Sequence, residues 1–505
     1  MKTSAKNPFL LPALIASLGL MLAGHMTAQT FTPLHNFTAL NNGTNDDGAN
    51  SDVGLILSGN ILYGAALGGG SSGRGTVFAV NTDGTGFTNL HSFTELSGAF
   101  LTNSDGASPN RLIISGNTLY GTAFGGGTSG WGTVFAVNTD GTGFTNLHNF
   151  SAILSGTNSD GAWPEAGLVL SGNILYGTAY RGGSSDRGTV FALNTDGTSF
   201  TNLHNFAATS GNIGGHGTNS DGAYPWADLI LLGNTLYGTA QYGGDSGNGT
   251  VFKVNTNGTF TKLYFFTAMS GVSPYTTNSD GGKPVAGLVF SGGSLYGTTF
   301  QGGSAGNGTV FAINTNGTGF TNLHNFTAIP SSFPTTNSDG AGPQAGLVLS
   351  GNTLYGTAAG GGSSANGTVF KVNTDGTGFT TPYSFTASAD NGNGFSTNSD
   401  GASPRGTLIL SGHTLYGTAY RGGSSDKGTV FSLSLPLPQL SIIPIRANVI
   451  LTWPTNAAGF TLQATTNLGS SAVWFTNLPG PVVLNGQNTV TNPISGQQHF
   501  YRLSQ

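Results

Sequence analysis

The chain has 505 residues, 84 of them glycine, with 37% hydrophobic and 7% charged residues and a net charge of −5. Its 32 phenylalanines and high apolar fraction exclude a disordered chain. The lack of any Lys/Arg cluster argues against nucleic acid as a partner, and the absence of cysteine rules out disulfides, a lipidated cysteine and a thiolate metal site.

Residues 1–28 have the form of an export signal. Lys2 and Lys6 precede an apolar stretch from Phe9 to Ala23, and small residues lead to a cut expected after Ala28. The apolar run is short for a membrane anchor, and the polar end from Phe500 to Gln505 gives no membrane tail. The expected location is therefore outside the cell or on its outer surface, with the periplasm as an alternative. No transmembrane segment is expected after cleavage.

From residue 29 to 435 one unit recurs. Its Leu-Tyr-Gly tripeptide places tyrosines at Tyr63, Tyr120, Tyr176, Tyr237, Tyr296, Tyr355 and Tyr416, spaced 57, 56, 61, 59, 59 and 61 residues apart. A typical unit runs Ala166-Gly-Leu-Val-Leu-Ser-Gly-Asn, Ile174-Leu-Tyr-Gly-Thr-Ala, a Gly-Gly-Ser loop, Gly188-Thr-Val-Phe-Ala-Leu, Asn194-Thr-Asp-Gly-Thr and Phe200-Thr-Asn-Leu-His-Asn-Phe. A variable loop holding Thr-Asn-Ser-Asp-Gly-Ala closes it. These are four short strands separated by turn signals, the first three nearly all apolar, as strands covered on both faces are. Helical periodicity and caps are missing.

The seventh unit stops after Gly428-Thr-Val-Phe-Ser-Leu, and the strand it lacks stands near the start as Phe31-Thr-Pro-Leu-His-Asn-Phe37. An offset of this kind predicts an all-β, seven-bladed β-propeller of four-stranded blades whose N-terminal strand completes the last blade and removes an open edge. The recurring Leu-Tyr-Gly-Thr, Gly-Gly, Gly-Thr-Val-Phe and Leu-His-Asn-Phe motifs resemble the Gloeo–Verruco tandem repeat of secreted bacterial proteins, over roughly residues 31–435. The resemblance implies an exported protein, often joined to a C-terminal anchoring or sorting module, and carries no catalytic residues.

Pro436 and Pro438 mark a linker over 436–439. Residues 440–505 carry Val449-Ile-Leu-Thr-Trp, Phe460-Thr-Leu-Gln-Ala, Val473-Trp-Phe, Val482-Val-Leu and Phe500-Tyr-Arg-Leu, with Asn485-Gly486 as a turn. They predict a small β-sandwich-like module, resembling the short C-terminal domain of secreted verrucomicrobial proteins. Anchoring, sorting and spacing all remain open for it.

The turns after the first and third strands hardly vary between units, whereas the inter-unit loops and second-to-third strand loops do. Alternate turns of a meander share a side, so the variable loops share one face, where propellers generally bind ligands. After the loop proline, or at the aligned place, stand Asp52, Asn110, Glu165, Trp226, Val285, Gln344 and Arg405. Before it stand Trp163 and Tyr224. The other loops add Phe124, Trp131, Tyr180, Arg181, Tyr242, Phe300, Tyr420 and Arg421. Trp163, Tyr224 and Trp226 are expected to form one aromatic patch, which either packs the loops or stacks on a sugar or peptide.

Other recurrences have quieter readings. Asp47, Asp105, Asp160, Asp221, Asp280, Asp339 and Asp400 are read as Asx-turns, with calcium as the alternative and no cofactor otherwise expected. His35, His91, His148, His204 and His324, with Tyr264 and Tyr383 in two units, are read as structural outer-strand residues. The Gly-Gly-Ser loops lack a phosphate-binding lysine and a following helix. The acids Asp52, Glu165 and Asp228 form the only cluster for an enzyme. The leading expectation is a non-enzymatic exported binding protein for extracellular carbohydrate or protein. A polysaccharide-active enzyme and a purely structural surface or adhesion component are the alternatives; oligomeric state is not legible.

Overall fold

The structure, a computed structural model, describes residues 29–504 apart from 214–215, 272–275, 331–334, 391, 393–395, 437, 455–459, 469–471, 477, 485–486 and 495–498. The expected signal (1–28) and the Asn485-Gly486 turn lie outside the described residues. The fold is all-β, and no helix among the described residues is long and apolar enough to cross a membrane.

Each repeat folds as one antiparallel sheet in chain order. In the third, Val169–Ser171, Ile174–Ala179, Thr189–Asn194 and Thr201–Asn205 follow one another, with Tyr176 opposite both Val169 and Ala192. The turn after the third strand is built by side chains. The Asp196 carboxylate accepts the Thr198 N–H (2.9 Å) and hydroxyl (2.6 Å), and Asn194 Nδ2 donates to the same hydroxyl at 2.8 Å. The second and third strands are buried on both faces, which explains their unbroken apolar character. Gly177, in the middle of the second strand, makes room for a neighbour: a Cβ there would lie 2.6 Å from the Phe191 ring and 2.8 Å from Leu168. A register shift opposite Val190/Phe191 bulges the fourth strand and brings His204 opposite Val190.

Seven such sheets occupy residues 31–434. In the last, Phe31–Asn36 lies beside Thr429–Ser434 and fills the place of the missing fourth strand. The Phe37 N–H donates to the Gly428 carbonyl at 3.2 Å, the bond that Phe206 makes to Gly188 in the third repeat at 3.1 Å. The apolar cores lie between consecutive sheets. One joins Leu34, Phe37, Tyr416 and Val430 of the last sheet to Leu55, Leu62 and Phe78 of the first.

Contacts divide the chain into two compact units, Phe31–Ser432 and a second that contains the residues from Leu433 onward. In the second, Ser441–Ile445, Asn448–Pro454, Gln487–Pro493 and Val482–Leu484 form a four-stranded sheet, and Thr461–Thr465 pairs with Phe500–Ser504. Leu451, Trp453 and Val490 of the larger sheet pack with Leu462 of the smaller. Of the expected Val473-Trp-Phe strand, only Phe475 bridges, to Ala464.

Candidate functional site

The inter-repeat loop enters each first strand through one residue with left-handed backbone: Asn50, Ser108, Trp163, Tyr224, Lys283, Gly342 and Ser403, all with φ between 53° and 60°. Such a conformation is costly for a bulky Trp or Tyr. It is held by one recurring hydrogen bond to the preceding sheet, as from Ser108 N–H to Arg74 O and from Tyr224 N–H to Arg187 O, both 2.8 Å. The seventh bond of this kind runs from Asn50 to Lys427 at 2.8 Å, linking the first sheet to the last.

These loops deliver the next residues to one cavity of about 470 Å³, walled by all seven repeats. Asp52, Asn110, Glu165, Trp226, Val285, Gln344 and Arg405 all line it. Below them runs a belt that sequence reading left unassembled: Gly54, Arg111, Gly167, Asp228, Gly287, Gly346 and Thr407. Its members touch in a circuit. A Cβ on Gly54 would meet Thr407 O at 2.9 Å and Arg111 Nε at 3.2 Å, and one on Gly167 would meet Arg111 Cβ and Asp228 Oδ1, both at 3.1 Å. On Gly287 it would meet Asp228 Cβ at 3.2 Å, and on Gly346 Thr407 Oγ1 at 3.0 Å and Gly287 O at 3.4 Å. Arg111 Nη1 donates to Asp228 Oδ2 at 2.7 Å, and Asp228 Oδ1 accepts the Gly167 N–H at 2.6 Å. Asp228 is thereby held by an ion pair and an amide.

The other two acids are differently placed. Neither Asp52 nor Glu165 has a side-chain hydrogen-bond partner on another described residue. Burial pushes Asp52 up to about 6 against the opposing pull of the Arg405 charge, and burial together with the Asp52 charge pushes Glu165 up to about 8. Arg405 lies over the Tyr420 ring at 4.3 Å, and its Nε is buried without a hydrogen-bond partner. Asn110 is committed elsewhere: its Nδ2 donates to Pro164 O at 2.6 Å, tying one repeat to the next.

At the outer rim the recurrent residues lock the loops. Asp160 Oδ2 accepts from His148 Nε2 at 2.9 Å and the Ser151 N–H at 3.0 Å, while Oδ1 takes the Ser151 hydroxyl. Tyr264 and Tyr383 serve as the donors to Asp280 (2.8 Å) and Asp400 (2.7 Å). The carboxylate thus bridges back to the end of the preceding strand, a longer reach than the local Asx-turn expected. The side-chain amide of the Asn two residues earlier is the centre of the loop. Asn158 Nδ2 donates to Ser151 O (2.9 Å) and Gly161 O (2.6 Å), and Oδ1 accepts from the N–H of Gly161 (3.1 Å) and of Gly183 (2.8 Å). Each His or Tyr stacks on a Phe of the following sheet, His148 on Phe200 at 3.9 Å and, across the join, Tyr383 on Phe31 at 4.2 Å and His35 on Phe87 at 3.7 Å. No group of three or more His, Cys, Asp or Glu among the described residues is placed to hold a metal ion.

The sequence model of the Gloeobacter/Verrucomicrobia repeat matches residues 99–278 and 331–443, more than half of the chain. The chain belongs to that repeat family. No curated protein matches it in sequence. Among solved structures it is similar to a GH74 enzyme of Niastella koreensis (14% identity, 86% of this chain and 60% of that one, TM-score 0.47). It is also similar to an oligogalacturonate lyase of Vibrio parahaemolyticus (8% identity, 81% and 97%, TM-score 0.43) and to the computationally designed Ika8 protein (14%, 77% and 98%, TM-score 0.39). Identities this low carry nothing about chemistry.

Within this Gloeobacter/Verrucomicrobia repeat array the aromatic residues fall into separate groups. Trp163 lines a second groove, stacked on Phe124 (5.3 Å) and Trp131 (5.1 Å), with Arg181 5.4 Å from its ring. Arg181 is also paired with Asp186. Tyr224 packs on Tyr180 at 5.0 Å and against Tyr242 at 6.0 Å. Trp226 makes an edge-to-face contact with Tyr180 at 5.3 Å, lines the cavity and stays 38% exposed. The Tyr180 hydroxyl donates to Gln241 at 3.4 Å, and burial raises the phenols of Tyr180 and Tyr242 above their ordinary value. Phe124, Phe300 and Gln241 complete the cavity's upper wall.

Proposed function

We propose that residues 31–434 form a closed seven-bladed β-propeller of an exported or cell-surface binding protein, whose mouth cavity takes an extracellular carbohydrate. Residues 436–439 then serve as a linker and 440–505 as a β-sandwich-like accessory module. The observation that carries the reading is the makeup of the 470 Å³ cavity: an exposed Trp226 ring beside Asp52, Glu165, Gln344 and an unsatisfied Arg405 Nε. A volume of this order suits a small ligand. Sugar recognition asks for a ring that stacks on an apolar sugar face, flanked by acceptors and donors for hydroxyls. A glycan array with the intact protein, followed by calorimetry on Trp226→Ala, tests it. Binding should weaken at least about tenfold in the variant, the loss of one stacking contact. Unchanged affinity removes the cavity as the site.

One observation favours a second reading, a polysaccharide-active enzyme. With Glu165 at about 8 and Asp52 at about 6, one acid keeps its proton at neutral pH while the other is mostly ionised, the division of labour that acid–base chemistry uses. Reducing-end or unsaturated-product release from a polysaccharide panel, lost in Glu165→Gln, would establish it; no release from any polymer bound on the array would exclude it.

A further inference from the structure

The groove that holds Trp163 is distinct from the mouth cavity and has its own charge. It encloses about 420 Å³ and is lined mainly by apolar atoms: Phe124, Trp131, Trp163, Leu96, Phe100 and Leu101, with Arg74 in the wall. Phe100 and Leu101 are 77% and 57% exposed, an unusual state for two adjacent large apolar side chains.

Arg74 is the informative residue, because its position recurs in every repeat. Arg187 Nε donates to Thr209 Oγ1 at 2.9 Å, Asn248 to Thr267 O at 2.7 Å, and Asn307 and Asn366 to Thr327 O and Thr386 O, both at 2.5 Å. In those four repeats the side chain ties down its own repeat's outgoing loop. In the first repeat the outgoing loop instead carries Leu96, Phe100 and Leu101 along the groove. The Arg74 side chain has no hydrogen-bond or ion-pair partner among the described residues, and its Nε is shut off from solvent. A guanidinium that shares its groove with aromatic rings and is left without an acceptor is complementary to an anion borne on a flat apolar body.

We infer that this groove is a second binding site, for a small aromatic or apolar carboxylate whose ring lies among Phe100, Trp131 and Trp163 and whose carboxylate accepts from Arg74. Scarcity of other polar groups in the lining argues against a neutral sugar there.

Calorimetry on the full chain at low salt, with 2-naphthoate and its uncharged counterpart 2-naphthamide, tests the inference. Naphthoate should bind saturably and about tenfold more tightly than the amide, as a charge-assisted contact predicts. Arg74→Met should remove that preference while leaving amide binding in place. Phe100→Ala, at an exposed position that folding does not need, should weaken both ligands, and Trp226→Ala should change neither. Equal affinities for the two ligands overturn the proposal, as do retention of the preference by Arg74→Met and absence of saturable heat. Loss of binding in Trp226→Ala also overturns it, by moving the ligand to the mouth cavity.

Discussion

At the outer rim of every repeat the same parts recur: an Asn amide with four hydrogen bonds, an Asp carboxylate, and a His or Tyr that bonds to the Asp and stacks on the next sheet. At the inner mouth the aligned positions carry Asp52, Asn110, Glu165, Trp226, Val285, Gln344 and Arg405, no two of them alike. One chain thus keeps its outer rim uniform and lets its inner rim differ seven times. The difference teaches where geometry is fixed. Each loop is set by bonds made outside the mouth, so the side chains at the mouth other than Asn110, which ties its repeat to the next, are left open to selection for a ligand.

Removing the strand that joins the two ends should have the largest effect. Deletion of residues 29–37 strips the last sheet of its fourth strand and takes the fully buried Phe37 with it. The expected outcome is loss of the soluble folded protein, seen as loss of the cooperative melt and as aggregation. A single outer-rim change should come next. Asn158→Ala leaves several backbone groups unpaired and should cost about 2–4 kcal/mol in a urea melt, with ligand affinity untouched.

Acid should separate the rims further. Burial pushes Asp47, Asp160 and Asp339 up, but hydrogen bonds from His35, His148 and His324 and from nearby hydroxyls outweigh it and hold them below the ordinary value. Their stabilisation is complete above the unfolded carboxylate pKa of about 4 and is lost as pH falls through the lower native values, so melting temperature should drop below about pH 4. The effect at the inner rim has the opposite sign. Glu165 at about 8 favours the folded state most below about pH 4.3, and that contribution is lost as pH rises through about 8. Melting curves of Glu165→Gln and wild type should therefore diverge with rising pH, the variant being the more stable above pH 8.

The strands were legible because apolar runs and turn residues recur, and the offset of Phe31–Phe37 pointed to its place beside Thr429–Ser434. The outer lock was legible only in part. Asp160 and His148 stood out as recurrent, whereas Asn158 read as a turn residue because its four partners are backbone groups without sequence identity. Within the mouth, proximity to the loop proline identified the lining positions. It did not distinguish Trp226, part-exposed in the mouth, from Trp163, whose left-handed backbone stands in a different groove. The Arg111–Asp228 pair joins residues 117 apart in chains of contact that pass through a third repeat, and no local pattern signals it.

The pairing of Phe31–Asn36 with a strand some 400 positions later also orders events in time. That early strand must wait, unpaired, until the seventh repeat has been made, since that is where its hydrogen-bonding edge lies. A chain terminated before the seventh repeat therefore ends with two unmatched edges, and only one that reaches Ser434 hides both. Completion of the repeat array is in this way checked by the topology itself.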